Sequence, residues 1–487
     1  MKISISYPPL ESEKGVPLLS QNRQFQWFSE PTYIYPMVPA YAATLLKHNG
    51  YDVVWDDGIA EEKSYDKWLN DIINEEPDII AIETKTPVVK KHWKIINELK
   101  EYLPKTKIVL MGDHVTALPL ESFENSKVDF VITGGDYDFM LLNLVKWLEG
   151  KDNLEPGFYY KDEDGHIKNT GRFILNHDLN SLPFIDRDLT KWWLYAYKNG
   201  NYKRTPGTYT MAGRDCWWRE NGGCSFCAWT TLYPNYRVRN PELLVDEIGM
   251  LIEKYKVKEI FDDTGSFPSG EWLRKFANMI IERGYNEEIY IGCNMRFGAL
   301  TKKDYELLAK AGFRMILCGL ESASNETLKR INKGVTVERI TEELKWASEA
   351  GLEPHITIMV GYPWETKEEA MKTVKLARWL FEKGYASTLQ ATIVVPYPGT
   401  KMFEDMKEQG LLMTYDWDDY DMRKLVIKAP IDDNDVKELT RELYKSFLTP
   451  KYVMRRILSI RSKEDLEFIL RGAKKVIGHL KDFSPSN

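Results

Sequence analysis

Apolar positions in the first 150 residues fall into two alternating periods. The strand-like runs KISISY (2–7), DVVWDD (52–57), DIIAIET (78–84), KIVLMG (107–112) and DFVITGG (129–135) are separated by runs with helical spacing, such as AYAATLLKHNG (40–50) and HWKIINELKEYL (92–103). That order predicts an α/β domain over residues 1–150, a doubly wound parallel sheet with helices on both faces. Ligands of such sheets gather at the carboxyl ends of the strands, where the chain places Thr84 to Thr86, Gly112 to Thr116 and Gly134-Gly135. The long stretch 10–36, ending QFQWFSEPTYIYP, is read as a loop that covers that face or meets the following domain, with a packed aromatic surface loop as the plainer reading.

Residues 151–205 break the pattern. GFYYKDEDGHIKNTGRF holds two short strand-like pieces about an Asp-Gly turn, and LNSLPFIDRDL follows as an extended stretch. The segment is expected to be a linker that carries a hairpin.

From 206 the alternation resumes, with strands expected near 208–213, 258–263, 289–294, 314–319, 355–361 and 388–395, and helices such as 241–255 and 367–384 between them. Six such units over 206–410 predict a partial (β/α)6 TIM-like barrel with its site at the strands' C-terminal ends; periodicity alone also fits an open sheet. The remainder, 411–487, is expected to be helical, and its basic run 453–480 has helical spacing. It is expected to pack on the barrel and help close a cavity, with a membrane-surface role as a weaker reading.

Composition narrows the class. A chain of 487 residues with 43% hydrophobic and 29% charged residues describes a soluble protein of several domains, and a net charge of -7 argues against a nucleic-acid-binding surface. The start, MKISISYPPL, lacks the apolar core of a signal peptide, no window approaches a membrane span, and the few cysteines point to a reducing cytoplasm.

Three of the five cysteines lie together, as Cys216-x7-Cys224-xx-Cys227. The two-residue spacing lets two sulfurs face one metal, and Gly222 and Gly223 let the backbone curl round it. Three thiolates suit a 4Fe-4S cluster with one open iron; a closed zinc site would need a fourth ligand, and neither a second CxxC pair nor a nearby histidine supplies it. Ligand count and spacing leave both metals open. Cys293 and Cys318 sit alone in apolar runs and read as core thiols.

The triad, with Phe226 before its last cysteine, resembles the cluster loop of the radical SAM superfamily. FDDTGSF (261–267), CNMRFGAL (293–300), GLESASNETLKRINKG (319–334), VGYPWET (360–366) and VPYPGT (395–400) stand at the ends of successive expected strands, as in that superfamily. Upstream, VLMGDHVTALP (109–119) resembles the GGxHxT segment of cobalamin-binding domains, and VDFVITGGDYD (128–138) stands where those have a GEGE-like turn. The whole resembles the class that includes the anaerobic magnesium-protoporphyrin ester cyclase and the cobalamin-dependent radical SAM methyltransferases.

The resemblance implies three cofactors: a 4Fe-4S cluster on Cys216, Cys224 and Cys227, S-adenosylmethionine (SAM) on its open iron, and cobalamin. Phe226, Asp262, Asp263, Arg296 and Glu321 are the implied SAM contacts, with Asp262 and Asp263 toward the ammonium, Arg296 toward the carboxylate and Glu321 toward the ribose. Thr84, Thr86, Gly112, His114, Thr116, Gly134 and Gly135 are the implied cobalamin contacts. Two departures stand out: seven residues rather than three separate the first two cysteines, and Asp113 replaces a usual glycine. A DxHxxG motif is missing, which implies cobalt without a histidine from that motif. The implied activity is methylation of an unactivated carbon in a small-molecule or peptide substrate, with an external donor such as ferredoxin or flavodoxin; cyclisation or skeletal rearrangement with the same cofactors is the second reading. A zinc- or cluster-stabilised binding protein without turnover is the reading from another class. Trp217, Trp218 and Trp229 are read as loop packing or a water shield, and His355, Pro363 and Glu365 as structural.

Overall fold

A computed structural model describes residues 1–18, 26–29 and 31–483. Part of the stretch 10–36, residues 19–25 and 30, lies outside the described residues. In chain order the first strands are β1 (Lys2–Tyr7), the antiparallel ribbon β2 (Val16–Leu18) and β3 (Gln26–Phe28), then β4 (Asp52–Asp57), β5 (Ile79–Glu83), β6 (Lys107–Met111) and β7 (Phe130–Ile132). β4-β1-β5-β6-β7 lie side by side and parallel, so the order reverses between β1 and β5, the place where open α/β sheets take ligands. Every residue of β5 is buried, as a strand covered on both faces requires.

The segment expected to be a linker completes this sheet. β8 (Phe158–Lys161) and β9 (Ile167–Asn169) form the hairpin about the Asp-Gly turn, and β8 pairs antiparallel with β7. The physical reason is the edge: β7 would otherwise leave a row of unpaired backbone groups. Thr133 donates its N–H and hydroxyl to Gly157 O, and the Thr170 hydroxyl accepts from Gly157 N and Phe158 N, which extends the pairing past both strand ends.

The second sheet begins with β10 (Gly207–Thr210). After the short antiparallel pair β11 (Gly213–Arg214) and β12 (Arg237–Val238) come β13 (Glu259–Asp262), β14 (Tyr290–Met295), β15 (Phe313–Glu321), β16 (Glu353–Val360) and β17 (Thr388–Ile393). β10-β13-β14-β15-β16-β17 are parallel and in sequential order, with helices Pro241–Tyr255, Gly270–Glu282, Lys302–Lys310, Val337–Glu349 and Lys367–Lys383 between them. Sequential order without a reversal is a barrel's, and β10 and β17 stay unpaired with each other, so the barrel is partial.

Buried ion pairs join the two sheets. Arg214 reaches Asp138 at 2.5 Å, and Arg237 holds Asp136 with both terminal nitrogens at 2.7 and 2.8 Å. Gly135 lies where a Cβ would come within 2.3 Å of the Tyr233 ring, so its missing side chain makes room for the barrel.

The C-terminal helices Pro450–Leu458 and Lys463–Asp482 pack on the barrel, as expected from the sequence, at the end opposite the cysteines. Asp465 pairs with Arg204, Phe468 lies under Arg314, and Arg314 binds Glu259 and Glu353, each near the first residue of its strand. Charged strand starts recruit them, a pairing that helical periodicity does not encode.

Candidate metal and cofactor site

The cysteines follow β10 and β11, at the C-terminal end of the barrel. The widened first gap is a closed turn: Trp217–Asn221 forms a short 3-10 helix, Gly222 and Gly223 take φ of 86° and 73°, and Gly223 N donates to Trp218 O at 3.1 Å. Asn332 clamps the turn, donating to Asn221 O at 2.8 Å and Gly223 O at 2.7 Å, while Trp218 Nε1 donates back to Asn332 O at 2.7 Å. The extra residues thus return the chain to Cys224.

The thiols of Cys216 and Cys227 are pushed up to about 11 and about 12, first by burial and also by the charge of the neighbouring cysteines. The triad is close enough for that influence, yet among the described residues it is absent from the sets of three ligand atoms that lie within 4.8 Å of one another. A tetrahedral zinc with bonds of about 2.3 Å would hold its sulfurs about 3.8 Å apart. At least one pair of the three sulfurs therefore lies more than 4.8 Å apart, wider than that spacing.

Arg296, just past β14, is buried beside Cys224, with Nη1 3.5 Å from its sulfur. Its guanidinium lies 4.1 Å from the centre of the Trp218 ring and 5.6 Å from that of Trp217, and the two indoles stand at 89° to each other. Its Nε and Nη2 are buried and find no hydrogen-bond partner among the described residues. A buried fork with open N–H groups on two nitrogens is a ready carboxylate site.

Glu321 ends β15 at a φ of 63° and accepts from Lys333 Nζ at 2.8 Å. Burial works against the Lys333 charge, and Glu321 and then Cys224 outweigh it, so Lys333 stays an ammonium. Its Nζ also lies 5.9 Å from the Phe226 ring centre. Sequence reasoning missed Lys333, although it lies in the quoted run 319–334; the signal was a lysine in the loop that follows a strand-end glutamate.

Asp262 is engaged within the protein. Its carboxylate accepts from Thr210 Oγ1 at 3.0 Å, Ala212 N at 2.8 Å and Thr264 N at 3.1 Å, which ties β13 to the cysteine loop. Asp263, buried next to it, donates its backbone N–H to Thr210 O. Cys293 and Cys318 are buried core thiols, pushed up by burial, and His355 bonds Thr388 at 2.8 Å as a rim histidine.

The residues read as cobalamin contacts do come together at the ends of β5, β6 and β7, largely by binding one another. A Cβ on Gly112 would lie 2.1 Å from Thr84 O, and Thr84 Oγ1 meets His92 Nδ1 at 2.7 Å. Thr116 Oγ1 donates to Gly112 O at 2.6 Å and accepts from Gly134 N at 3.1 Å. His114 is fully buried between Trp93 and Trp417, with Nδ1 3.2 Å from Thr86 and Nε2 3.2 Å from Glu121. Both ring nitrogens are thus engaged within the protein. A cavity of about 370 Å³ opens between the sheet's carboxyl edge, the hairpin and the barrel, lined by Thr116, Thr133, Tyr159, Arg172, Thr231 and Gly399 among others. It has the size of a small-molecule site and hydroxyl donors to match.

Residues 214–377 match the sequence profile of the Radical SAM superfamily. The chain carries a radical SAM domain. The match covers the cysteine triad, Arg296 and Glu321, and it makes the protein an enzyme rather than a binding protein without turnover. Beyond that domain, the chain is 29% identical over 433 residues to an uncharacterized methyltransferase of Pyrococcus horikoshii, covering 87% of this chain and 90% of that one. It is also 29% identical over 392 residues to the anaerobic magnesium-protoporphyrin IX monomethyl ester cyclase of Cereibacter sphaeroides, covering 78% of this chain and 61% of the cyclase. The fold, with the radical SAM domain behind its first sheet, is that of the radical SAM methyltransferase TsrM from Kitasatospora setae, solved with cobalamin and a 4Fe-4S cluster bound, at a TM-score of 0.68 and 14% identity over 99% of both chains.

Proposed function

We propose that the protein is a cobalamin-dependent radical SAM methyltransferase acting on an unactivated carbon of a small-molecule or peptide substrate, with an external one-electron donor. When bound, the cluster and SAM supply a 5′-deoxyadenosyl radical, and cobalamin supplies the methyl group.

The chain's own residues bind, orient and shield. Cys216, Cys224 and Cys227 hold the cluster, and the clamp from Asn332 sets where Cys216 stands. The observation that carries the reading is Arg296: its open Nε and Nη2, beside a cluster sulfur, suit the methionyl carboxylate. Glu321, held by Lys333, would accept from ribose hydroxyls, with Phe226 beside Lys333 as a further contact. Asp263 lies toward the ammonium, while Asp262 fixes the strand end that carries it. Trp217 and Trp218 cover Arg296 and keep water from the site. The cavity between sheet and barrel takes part of the corrinoid, with Thr116 on its wall and no cobalt ligand from His114. The residues that complete Thr116's surroundings, Thr84, Thr86, Gly112, Gly134 and Gly135, shape that edge.

Anaerobic reconstitution tests the reading. About four irons and four sulfides per chain are expected, with release of 5′-deoxyadenosine on reduction in the presence of SAM, and Cys224→Ala abolishes both. Stoichiometric zinc without SAM cleavage refutes the cluster. After reduction of hydroxocobalamin-loaded enzyme to the cobalt(I) state by an added reductant, transfer of label from methyl-labelled SAM to the corrinoid supports the methyltransferase; a chain that cleaves SAM but retains no corrinoid refutes that part alone.

A further inference from the structure

The chain's net charge is -7, yet residues 445–482 carry ten Lys and Arg against four Asp and Glu. That basic segment contains the helices Pro450–Leu458 and Lys463–Asp482. Each docks by one face: Tyr452 donates to Ser387 O at 2.9 Å and Arg455 to Phe381 O at 2.7 Å, while Phe468 lies under Arg314 and Arg471 donates to Tyr202 O at 3.0 Å. The opposite faces are aliphatic and turned to solvent. Met454, Ile457 and Leu458 on the first helix, and Leu466, Leu470 and Ile477 on the second, are between 43% and 63% exposed.

Helical geometry makes these faces stripes. At 3.6 residues per turn, Leu466, Leu470 and Ile477 fall within about 40° of one another, with Lys463, Lys474 and Lys481 directly alongside. An apolar stripe bordered by a row of lysines is the pattern of a helix that lies in a membrane interface. No helix among the described residues is long and apolar enough to cross a bilayer, so the contact is with a surface. A second copy of the chain is a poor occupant, because a two-fold interface would set this basic segment against itself. A protein partner is a poorer match than lipid, since the face is aliphatic and lacks the exposed Tyr and Trp that anchor protein interfaces.

We infer that the outer face of the C-terminal helix pair docks the enzyme on an anionic lipid surface. Docking there leaves the cysteine end of the barrel facing away from the bilayer, so the contact fixes location and orientation without covering the site.

The test is flotation of the full chain with vesicles of equal parts phosphatidylglycerol and phosphatidylcholine, against vesicles of phosphatidylcholine alone. The chain is expected to float with the first at roughly 50 mM salt, where screening is weak, and to be released by high salt. Combined Leu466→Ser, Leu470→Ser and Ile477→Ser is expected to lower the partition coefficient at least tenfold, and each of Lys463→Ser, Lys474→Ser and Lys481→Ser by about fivefold. These positions are exposed, so the thermal transition should stay in place and show that the variants fold. Failure of the native chain to float with the anionic vesicles, or flotation unchanged in the triple Ser variant, overturns the proposal. A dimer in sedimentation velocity that the triple variant splits assigns the face to a second copy instead.

Discussion

Arg296 and Cys224 stand 3.5 Å apart, guanidinium nitrogen to sulfur, and the guanidinium carbon lies over the Trp218 ring, 4.1 Å from its centre. The ring holds the cation in place without using its N–H groups, which a carboxylate partner would have used. A buried cation with open donors is costly alone and favourable once an anion arrives, so the site is arranged for an anionic ligand beside the cysteine triad.

Replacing Arg296 should therefore separate SAM binding from cluster assembly. Arg296→Gln is expected to weaken SAM binding by about 10- to 100-fold, the worth of one or two charge-assisted hydrogen bonds. Arg296→Lys should recover only part, because a lysine cannot present the fork. Iron and sulfide content should match the native chain in both. Equilibrium dialysis with SAM and iron analysis decide it, and loss of iron along with SAM would mean that Arg296 supports the cysteine loop rather than the ligand.

Gly135 and Tyr233 provide a test of how the two sheets meet. A Cβ at 135 would press into the Tyr233 ring, so Gly135→Ala is expected to cost about 1–3 kcal/mol. In a Tyr233→Ala background the same change should cost far less, since the obstacle is gone. Denaturant melts of the four proteins give the coupling; an equal cost in both backgrounds would place the strain elsewhere.

The strands were legible because each carries its own periodicity: β1 and β4 fall on the expected 2–7 and 52–57, and the helix at Pro241–Tyr255 matches its predicted span. Strand-end glycines and acids were legible for a related reason, that ligands and turns both gather there. What escaped were relations between distant segments. Lys333 gains its meaning from Glu321 and Cys224, the hairpin from the open edge of β7, and Asp262 from Thr210 and Ala212 across the loop. None of these pairings leaves a local pattern.

His177 links the hairpin side of the first sheet to the barrel and should make stability depend on alkaline pH. Burial works against its charge, yet hydrogen bonds to Asp136 at 2.8 Å and Glu155 at 2.9 Å outweigh burial and raise its pKa to about 9. A raised folded-state value means that the charged form is favoured by folding: the stabilisation is complete below about 6.5, the unfolded value, and is lost as pH rises toward 9. The loss is on the order of 2–3 kcal/mol. Thermal melts between pH 6 and 10 should show this decline in the native chain and a flatter profile in His177→Gln; parallel profiles would exclude His177 as its source.

His114 offers the last test, because its position in the resemblance and its position in the fold point in different directions. It stands in the segment that resembles a cobalamin motif, but its ring is enclosed by Trp93 and Trp417 and both nitrogens are within 3.2 Å of a protein partner. His114→Ala is expected to destabilise the fold by about 2–4 kcal/mol, the cost of removing a buried ring and leaving Thr86 and Glu121 without it. It should leave the visible and electron-spin spectra of bound cobalamin unchanged, since a histidine with no free nitrogen cannot reach cobalt. A change in the nitrogen coupling of the reduced cobalt on going from His114 to alanine would show that the ring turns away from Thr86 to ligate the metal, and would overturn the structural role assigned to it.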